Sequence, residues 1–239
     1  MKKSLLAILF AILLIGVVGC GKNTVSEDAK KFKQEYEEFN NKSNDYFEYR
    51  NITIEEDNTI VYSTDKEIVE KIENKESFIV YFGDPECPWC RSVVEQVVKL
   101  AKENNIKKLY YVRFWNGFHK EIIRDVYELD SKNKPVLKEK GSDAYYKLLE
   151  YMDEVLKDYT LKDDKGKEIK VNEKRIFLPN FVAVIDGEPK ELIQGISEKQ
   201  TQYNGELTDE IIEDEKNAFN TFFEKYSQEL NGKVCDDEC

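Results

Sequence analysis

The stretch SFIVYFGDPECPWCRSVVEQVVKLA, residues 77–101, sets the strongest limit on how this chain can fold. Its opening run, SFIVYF (77–82), is rich in aromatic and β-branched residues, which predicts a short strand buried on both faces. After Cys90, the residues Val93, Val94, Val97, Val98 and Ala101 recur along one helix face, and the pattern ends near ENN at 103–105. A buried strand therefore runs into an amphipathic helix through a turn that carries two cysteines.

The flanking sequence extends this alternation. NTIVYS (58–63) predicts a strand, and Thr64 with Glu67 in TDKE forms a capping box that starts a helix with Ile68, Val69 and Ile72 on its apolar side. KKLYYVRFW (107–115) predicts the next strand, so the order is βαβαβ and parallel pairing is expected. NFVAVIDGEPKELIQGI (180–196) predicts two antiparallel strands about a turn at Asp186-Gly187. A last helix from about Thr208 to Leu230 turns Ile211, Ile212, Ala218, Phe219, Phe222, Phe223 and Tyr226 inward.

Between the third strand and Pro179 lie more than 60 residues, more than a compact connection requires. DAYYKLLEYMDEVLKDY (143–159) predicts one amphipathic helix there, and LKDDKGKEIKV (161–171) a small hairpin or solvated loop. No second core-sized apolar set is present. Residues 51–230 are thus expected to form one α/β domain, with a helical insertion over about 116–176.

Apolar residues make up 41% of the chain and charged ones 35%, enough to bury a core beneath a strongly solvated surface. The net charge of −12 argues against a nucleic-acid partner. No Lys/Arg cluster is present that would hold an anionic membrane face. The N-terminus offers another route to a membrane. MKKSLLAILFAILLIGVVGCGK has a basic start, an apolar run from Leu5 to Val18 and small residues before Cys20, the grammar of a secretory leader over 1–19. That run is shorter than the roughly 20 residues of a comfortable bilayer span. With Lys2 and Lys3 removed the charge becomes −14, 34 basic against 48 acidic residues.

VVGC (17–20) resembles the lipobox of bacterial lipoproteins, which implies cleavage before Cys20 and a diacylglycerol on its sulfur. The chain would then sit on the outer face of the cytoplasmic membrane, in the cell envelope. The alternative is a transmembrane anchor with an incidental Cys20. Residues 20–50 are polar and acidic and read as a tether, part of which could be a short helix docked on the domain where Phe32, Tyr36 and Phe39 share a face. Outside the cytosol disulfides persist, and four cysteines remain: Cys87, Cys90, Cys235 and Cys239.

Three readings of the CPWC pair are open. Cys87 and Cys90 could be half of a zinc site completed by Cys235 and Cys239, although no histidine lies near either pair. They could form an inert local disulfide. They could also exchange disulfides. Pro88 suits the first helical turn, where its missing N–H costs nothing. Cys87 would stand at the positive end of the helix dipole, where backbone N–H groups stabilise a thiolate. Cys90, one turn further on, would be sheltered and within ring-closing reach. An exposed attacker and a sheltered resolver suffice for exchange through a mixed disulfide. Trp89 reads as a substrate platform or as a cap on the fold.

YFGDPECPWCRS and FLPNFVAVIDG together resemble the thioredoxin-like family, and more narrowly its Firmicutes-type lipoproteins. The resemblance covers most of residues 58–230. It implies a thioredoxin-like fold with a central mixed sheet flanked by helices, Cys87 as nucleophile, Cys90 as resolving thiol and Pro179 as the cis-proline that lies against the pair. It further implies that Leu178 offers main-chain groups to a substrate strand, beside Pro88 and Trp89. Where thioredoxins keep a buried carboxylate in the strand before the motif, this chain has Tyr81; Asp84 or Glu86 could replace it in proton transfer, or be solvated turn residues.

In the tail, Cys235 and Cys239 would come within about 6 Å if helical, as a structural disulfide, a second relay, or a metal or intermolecular pair. His119 reads as a surface or loop residue. The sequence thus points to an extracytoplasmic, lipid-anchored thiol–disulfide oxidoreductase. It would need no organic cofactor or metal, and would act on exported proteins and on another envelope thiol protein. The alternative is an envelope binding module whose CPWC disulfide is structural.

Overall fold

The computed structural model describes residues 25–115 and 123–231. The leader with Cys20, His119, and the tail pair Cys235 and Cys239 lie outside the described residues. In chain order the elements are α1 (Glu27–Glu37), β1 (Ile60–Tyr62), α2 (Asp65–Glu73), β2 (Phe78–Gly83), α3 (Pro88–Glu103), β3 (Leu109–Arg113), β4 (Val126–Leu129), β5 (Pro135–Glu139), α4 (Asp143–Tyr151), β6 (Lys157–Lys162), β7 (Glu168–Arg175), β8 (Asn180–Ile185), β9 (Glu188–Ile193) and α5 (Asp209–Leu230).

Every residue of β2 and of β8 is buried, because alternate residues serve two cores on opposite faces of one sheet. Ile79, Tyr81, Phe181 and Ala183 pack with α1, α3 and α5 on one face, beside Phe32, Val94, Phe219 and Phe223. Phe78, Val80, Phe82, Val182 and Val184 pack on the other with α2 and α4, beside Ile68, Val69, Tyr145 and Leu148. The sheet has five strands in the order β1-β3-β2-β8-β9. β3 pairs parallel with both β1 and β2, whereas β8 pairs antiparallel with β2 and β9. The chain is therefore an α/β protein with a mixed central sheet and, among the described residues, five helices.

Local chemistry sets the element ends. Thr64 and Glu67 make the reciprocal capping box at the start of α2. Asp186 and Gly187, at φ 53° and 77°, give the left-handed turn that joins β8 to β9. In α5, Ile211, Phe219, Phe222, Phe223 and Tyr226 face inward as the spacing predicts. Ala218 is exposed and Ile212 only half-buried, whereas Glu215 takes a fully buried place.

Two expectations need correction. The helix predicted over 143–159 stops at Tyr151: the carbonyl of Met152 accepts from the N–H groups of both Val155 and Leu156 and closes a turn. Lys157–Lys162 then pairs antiparallel with β7, so strand pairing overrides the helical spacing of Leu156 and Tyr159, which are buried all the same. The insertion, expected to be helical, consists where described of two hairpins, β4–β5 and β6–β7, and one nine-residue helix.

The second concerns the stretch read first as a tether, of which only part was expected to dock as a short helix. From Glu27 onward it is packed on the body, with Phe32 and Tyr36 fully buried and Ile52 and Ile54 in the same core. A carboxylate oxygen of Asp28 accepts from the N–H of Tyr62 at 3.0 Å, so α1 also covers the edge at β1.

Candidate functional site

The strand-to-helix junction forms because Gly83 ends β2 and Cys87 caps α3. Cys87 has extended backbone angles, and Pro88 occupies the first helical turn. The Cys87 sulfur accepts from the N–H of Cys90 at 3.4 Å, the position a capping oxygen takes in other helices. This places a sulfur against an otherwise unpaired backbone donor at the positive end of a 16-residue helix. The sulfurs of Cys87 and Cys90 are not joined.

On its outer side Cys87 meets the chain leading into β8. The Leu178–Pro179 peptide bond is cis, and the Leu178 carbonyl oxygen accepts from the Cys87 sulfur at 3.7 Å. Cys87 was expected to be exposed; it is 3% exposed, because this loop lies over the sulfur. Beside the loop runs a groove of about 680 Å³ lined by Trp89, Phe177, Leu178, Ile193, Gly195 and Gln200, among others. Trp89 is half-buried in its wall and meets the edge of Tyr203, ring centroids 6.3 Å apart. Gly195, at φ 69°, is needed there, since a Cβ would sit 2.1 Å from the Phe219 ring.

The inner side is different. Cys90 is fully buried, and burial pushes its thiol well above the usual range, with a further push from Cys87. The Asp84 backbone and the Tyr81 side chain pull the other way. Tyr81 comes from β2, and its ring lies over Gly83, where a Cβ would be 2.4 Å from the hydroxyl oxygen. The absent side chain at Gly83 lets the phenol reach the end of the strand beneath the motif. The Tyr81 hydroxyl is 2.6 Å from that of Tyr36 on α1, and the rings of Tyr81 and Tyr111 lie 5.2 Å apart. Burial holds all three phenols in the protonated form.

Of the two acids proposed for proton transfer, neither is solvated. Asp84 is fully buried in the turn, and burial raises its carboxyl to about 7 against the pull of the Glu86 N–H, Arg113 and the Trp115 N–H. The Arg113 guanidinium is 3.3 Å from Asp84 and 3.4 Å from Glu35 of α1, so it bridges the turn to the N-terminal helix. Glu86 is buried too, but its carboxylate interacts with Tyr49, on the side of the N-terminal segment.

Arg91 carries a role the sequence reading missed. It is fully buried, and donates to the carbonyls of Tyr36 (2.7 Å), Pro85 (3.1 Å) and Arg50 (2.6 and 2.9 Å) and to the side-chain oxygen of Asn40 (2.9 Å). It thereby ties residues 36–50 to the turn of the cysteine pair, and burial lowers its guanidinium to about 10. One signal could have found it: Arg91 lies three residues before Val94 and seven before Val98, on the stripe that otherwise holds only apolar residues. Among the described residues, no three His, Cys, Asp or Glu side chains gather as metal ligands.

The site therefore brings Cys87, Cys90, Asp84, Leu178 and Pro179 together with Trp89 at the groove wall. It adds Tyr81, Tyr36, Arg91 and Arg113, and leaves Glu86 to one side. Compared with protein-family models and with curated proteins, the chain matches none.

Proposed function

We propose that the chain is a thioredoxin-like thiol–disulfide oxidoreductase that exchanges disulfides with exported proteins through Cys87 and Cys90. The observation that carries this reading is the unequal placement of the two sulfurs. Cys87 sits at a helix N-terminus against the carbonyl of Leu178, a residue that with Trp89 lines the groove, and Cys90 is sealed one turn behind it. The strand order with β2 at the centre of the sheet and the cis bond at Pro179 support a thioredoxin-like arrangement. The lipid anchor at Cys20 and the envelope location rest on the N-terminal sequence. No helix among the described residues is long and apolar enough to cross a membrane.

In this reading the Cys87 thiolate attacks a client disulfide and one client sulfur leaves; Cys90 then closes the ring and frees the other. Run in reverse, the oxidised pair donates its disulfide. A client strand approaching along the groove would compete with Cys87 for the Leu178 carbonyl, and so uncover the sulfur as it binds.

One observation favours a second reading. Cys87 is almost as buried as Cys90, as a structural pair in a partner-binding module would be. Insulin reduction by the chain from residue 21 onward separates the two. The oxidoreductase turns over, loses turnover with Cys87→Ser and accumulates mixed disulfides with Cys90→Ser; a binding module does none of these.

A further inference from the structure

Exchange at this pair leaves one need unmet on the buried side. Whenever Cys90 attacks or leaves, its sulfur carries negative charge in a site with no solvent, and a buried thiolate without donors is costly. Five other groups face it: Cys87 from α3, Tyr81 and the Asp84 backbone from β2 and its turn, Tyr36 from α1 and Tyr111 from β3. Of the side chains, the Tyr81 phenol reaches this end of β2 over Gly83, and its oxygen lies 2.6 Å from the Tyr36 hydroxyl.

Building on that exchange reading, we propose that Tyr81, backed by Tyr36, is the catalytic hydrogen-bond donor to Cys90, and that α1 is part of the redox machinery rather than a spacer. Tyr36 donates to the Tyr81 oxygen and Tyr81 donates to the Cys90 sulfur, a chain in which each bond polarises the next. Three contacts hold α1 in place for this. Arg91 donates to the Tyr36 carbonyl at 2.7 Å, Arg113 pairs with Glu35 at 3.4 Å, and Phe32 meets the Tyr111 ring of β3 edge-on with centroids 4.9 Å apart.

The step balances without another reactant. The Cys90 S–H loses its proton and the sulfur attacks Cys87 in the mixed disulfide. The Cys87–client S–S bond breaks, the Cys87–Cys90 bond forms, and the departing client thiolate takes up a proton. Over both half-steps the client disulfide gains the two electrons that the dithiol loses. Tyr81 and Tyr36 keep their protons throughout, so they act by stabilising charge and not as bases.

The test uses the full chain with Cys20→Ser, Cys235→Ser and Cys239→Ser, so that only the pair reacts, and dithionitrobenzoate as the probe disulfide. Attack by Cys87 releases a first equivalent of thionitrobenzoate, and ring closure by Cys90 a second. Tyr81→Phe should slow the second phase about tenfold, the scale of one hydrogen bond to a charged group, and move its pH profile upward. Tyr36→Phe should slow it by a smaller factor, and carries the test should Tyr81→Phe fail to fold. Second phases unchanged in rate and pH profile would overturn the assignment, as would both phases slowing alike. A parent protein that releases one equivalent and stops would overturn the exchange reading itself, and this proposal with it.

Discussion

Cys87 and Cys90 share one helical turn, yet they face regions built on different principles. The Cys87 side is made of main chain and a groove: a backbone N–H, the Leu178 carbonyl, the cis bond at Pro179 and the wall at Trp89. On the Cys90 side the sulfur is fully buried, and Tyr81, Tyr111 and Tyr36, from three elements, are packed in one buried core. Main-chain donors can accept many partners, because any peptide strand offers the complementary groups. Side-chain donors in a closed site serve one atom in one geometry. On the oxidoreductase reading, the difference gives recognition to one sulfur and resolution to the other.

The sharpest way to break this comparison is to remove each sulfur in turn. Cys87→Ser should lower insulin reduction by at least about 100-fold, whereas Cys90→Ser should leave the first attack in place and accumulate mixed disulfides visible by non-reducing electrophoresis. Equal effects of the two substitutions, with no trapped species, would erase the distinction.

Next in size is the clamp that closes the Cys90 side. Arg91→Met takes the Arg91 donor from the carbonyls of Tyr36, Pro85 and Arg50 and leaves Asn40 Oδ1 with the Ile52 N–H alone, and should cost about 3 kcal/mol. At this chain length that lowers Tm by about 6–12 °C, measured by calorimetry. It should also raise the alkylation rate of Cys90 more than that of Cys87, since residues 36–50 are released. A Tm within a degree of the parent would show that the guanidinium holds nothing together.

Asp84 offers a smaller effect with a pH signature. Burial raises its carboxyl to about 7, so it carries a proton below neutrality and can take one up from a neighbour above it. Asp84→Asn should lower the exchange rate about three- to tenfold near neutral pH and remove an inflection near pH 7 from the rate profile. An inflection that persists would assign it to another group.

How much of this was legible in the sequence differs between the same two regions. The Cys87 side was readable because it depends on local order: a strand, a glycine, a cysteine before proline, and a helix. The Cys90 side was not, because Tyr36 and Tyr81 stand 45 positions apart, and only the folded α1 brings their hydroxyls together. Tyr81 was noticed as a departure from the expected carboxylate, but not as a donor. The exposure of Cys87 was misjudged for the same reason: Leu178 lies 91 residues away.

In the insertion, helical spacing misled at residues 152–159, where pairing with β7 decided the outcome. The turn chemistry there was present and unread. In Asp130-Ser131-Lys132-Asn133-Lys134 the Asp130 carboxylate accepts from the N–H groups of Lys132 and Lys134, just as Asp163 does for Lys165 and Lys167. Only the second of these hairpins was expected.

The smallest expected effect on exchange sharpens the comparison by lying outside it. Glu215 is fully buried on α5, neither of its oxygens has a hydrogen-bond partner, and burial raises its carboxyl to about 8 against the pull of Arg50. The folded chain keeps this proton over a range in which the unfolded chain has lost it. Its contribution to stability therefore falls as pH rises from about 4.5 to about 8, and stays level above that. Glu215→Gln removes the dependence. Its Tm advantage over the parent should grow by several °C between about pH 5 and pH 8, with insulin reduction unchanged. An advantage independent of pH would contradict the assignment.

The central claim is that Cys87 and Cys90 act as one two-electron couple. Equilibration of the chain from residue 21 onward against graded glutathione ratios, read by mass spectrometry of acid-quenched samples, tests it most directly. The account predicts that both thiols vanish together into one intramolecular Cys87–Cys90 disulfide over a single Nernstian transition. Two thiols that stay reduced across the whole range, or that end as separate glutathione adducts, would contradict it.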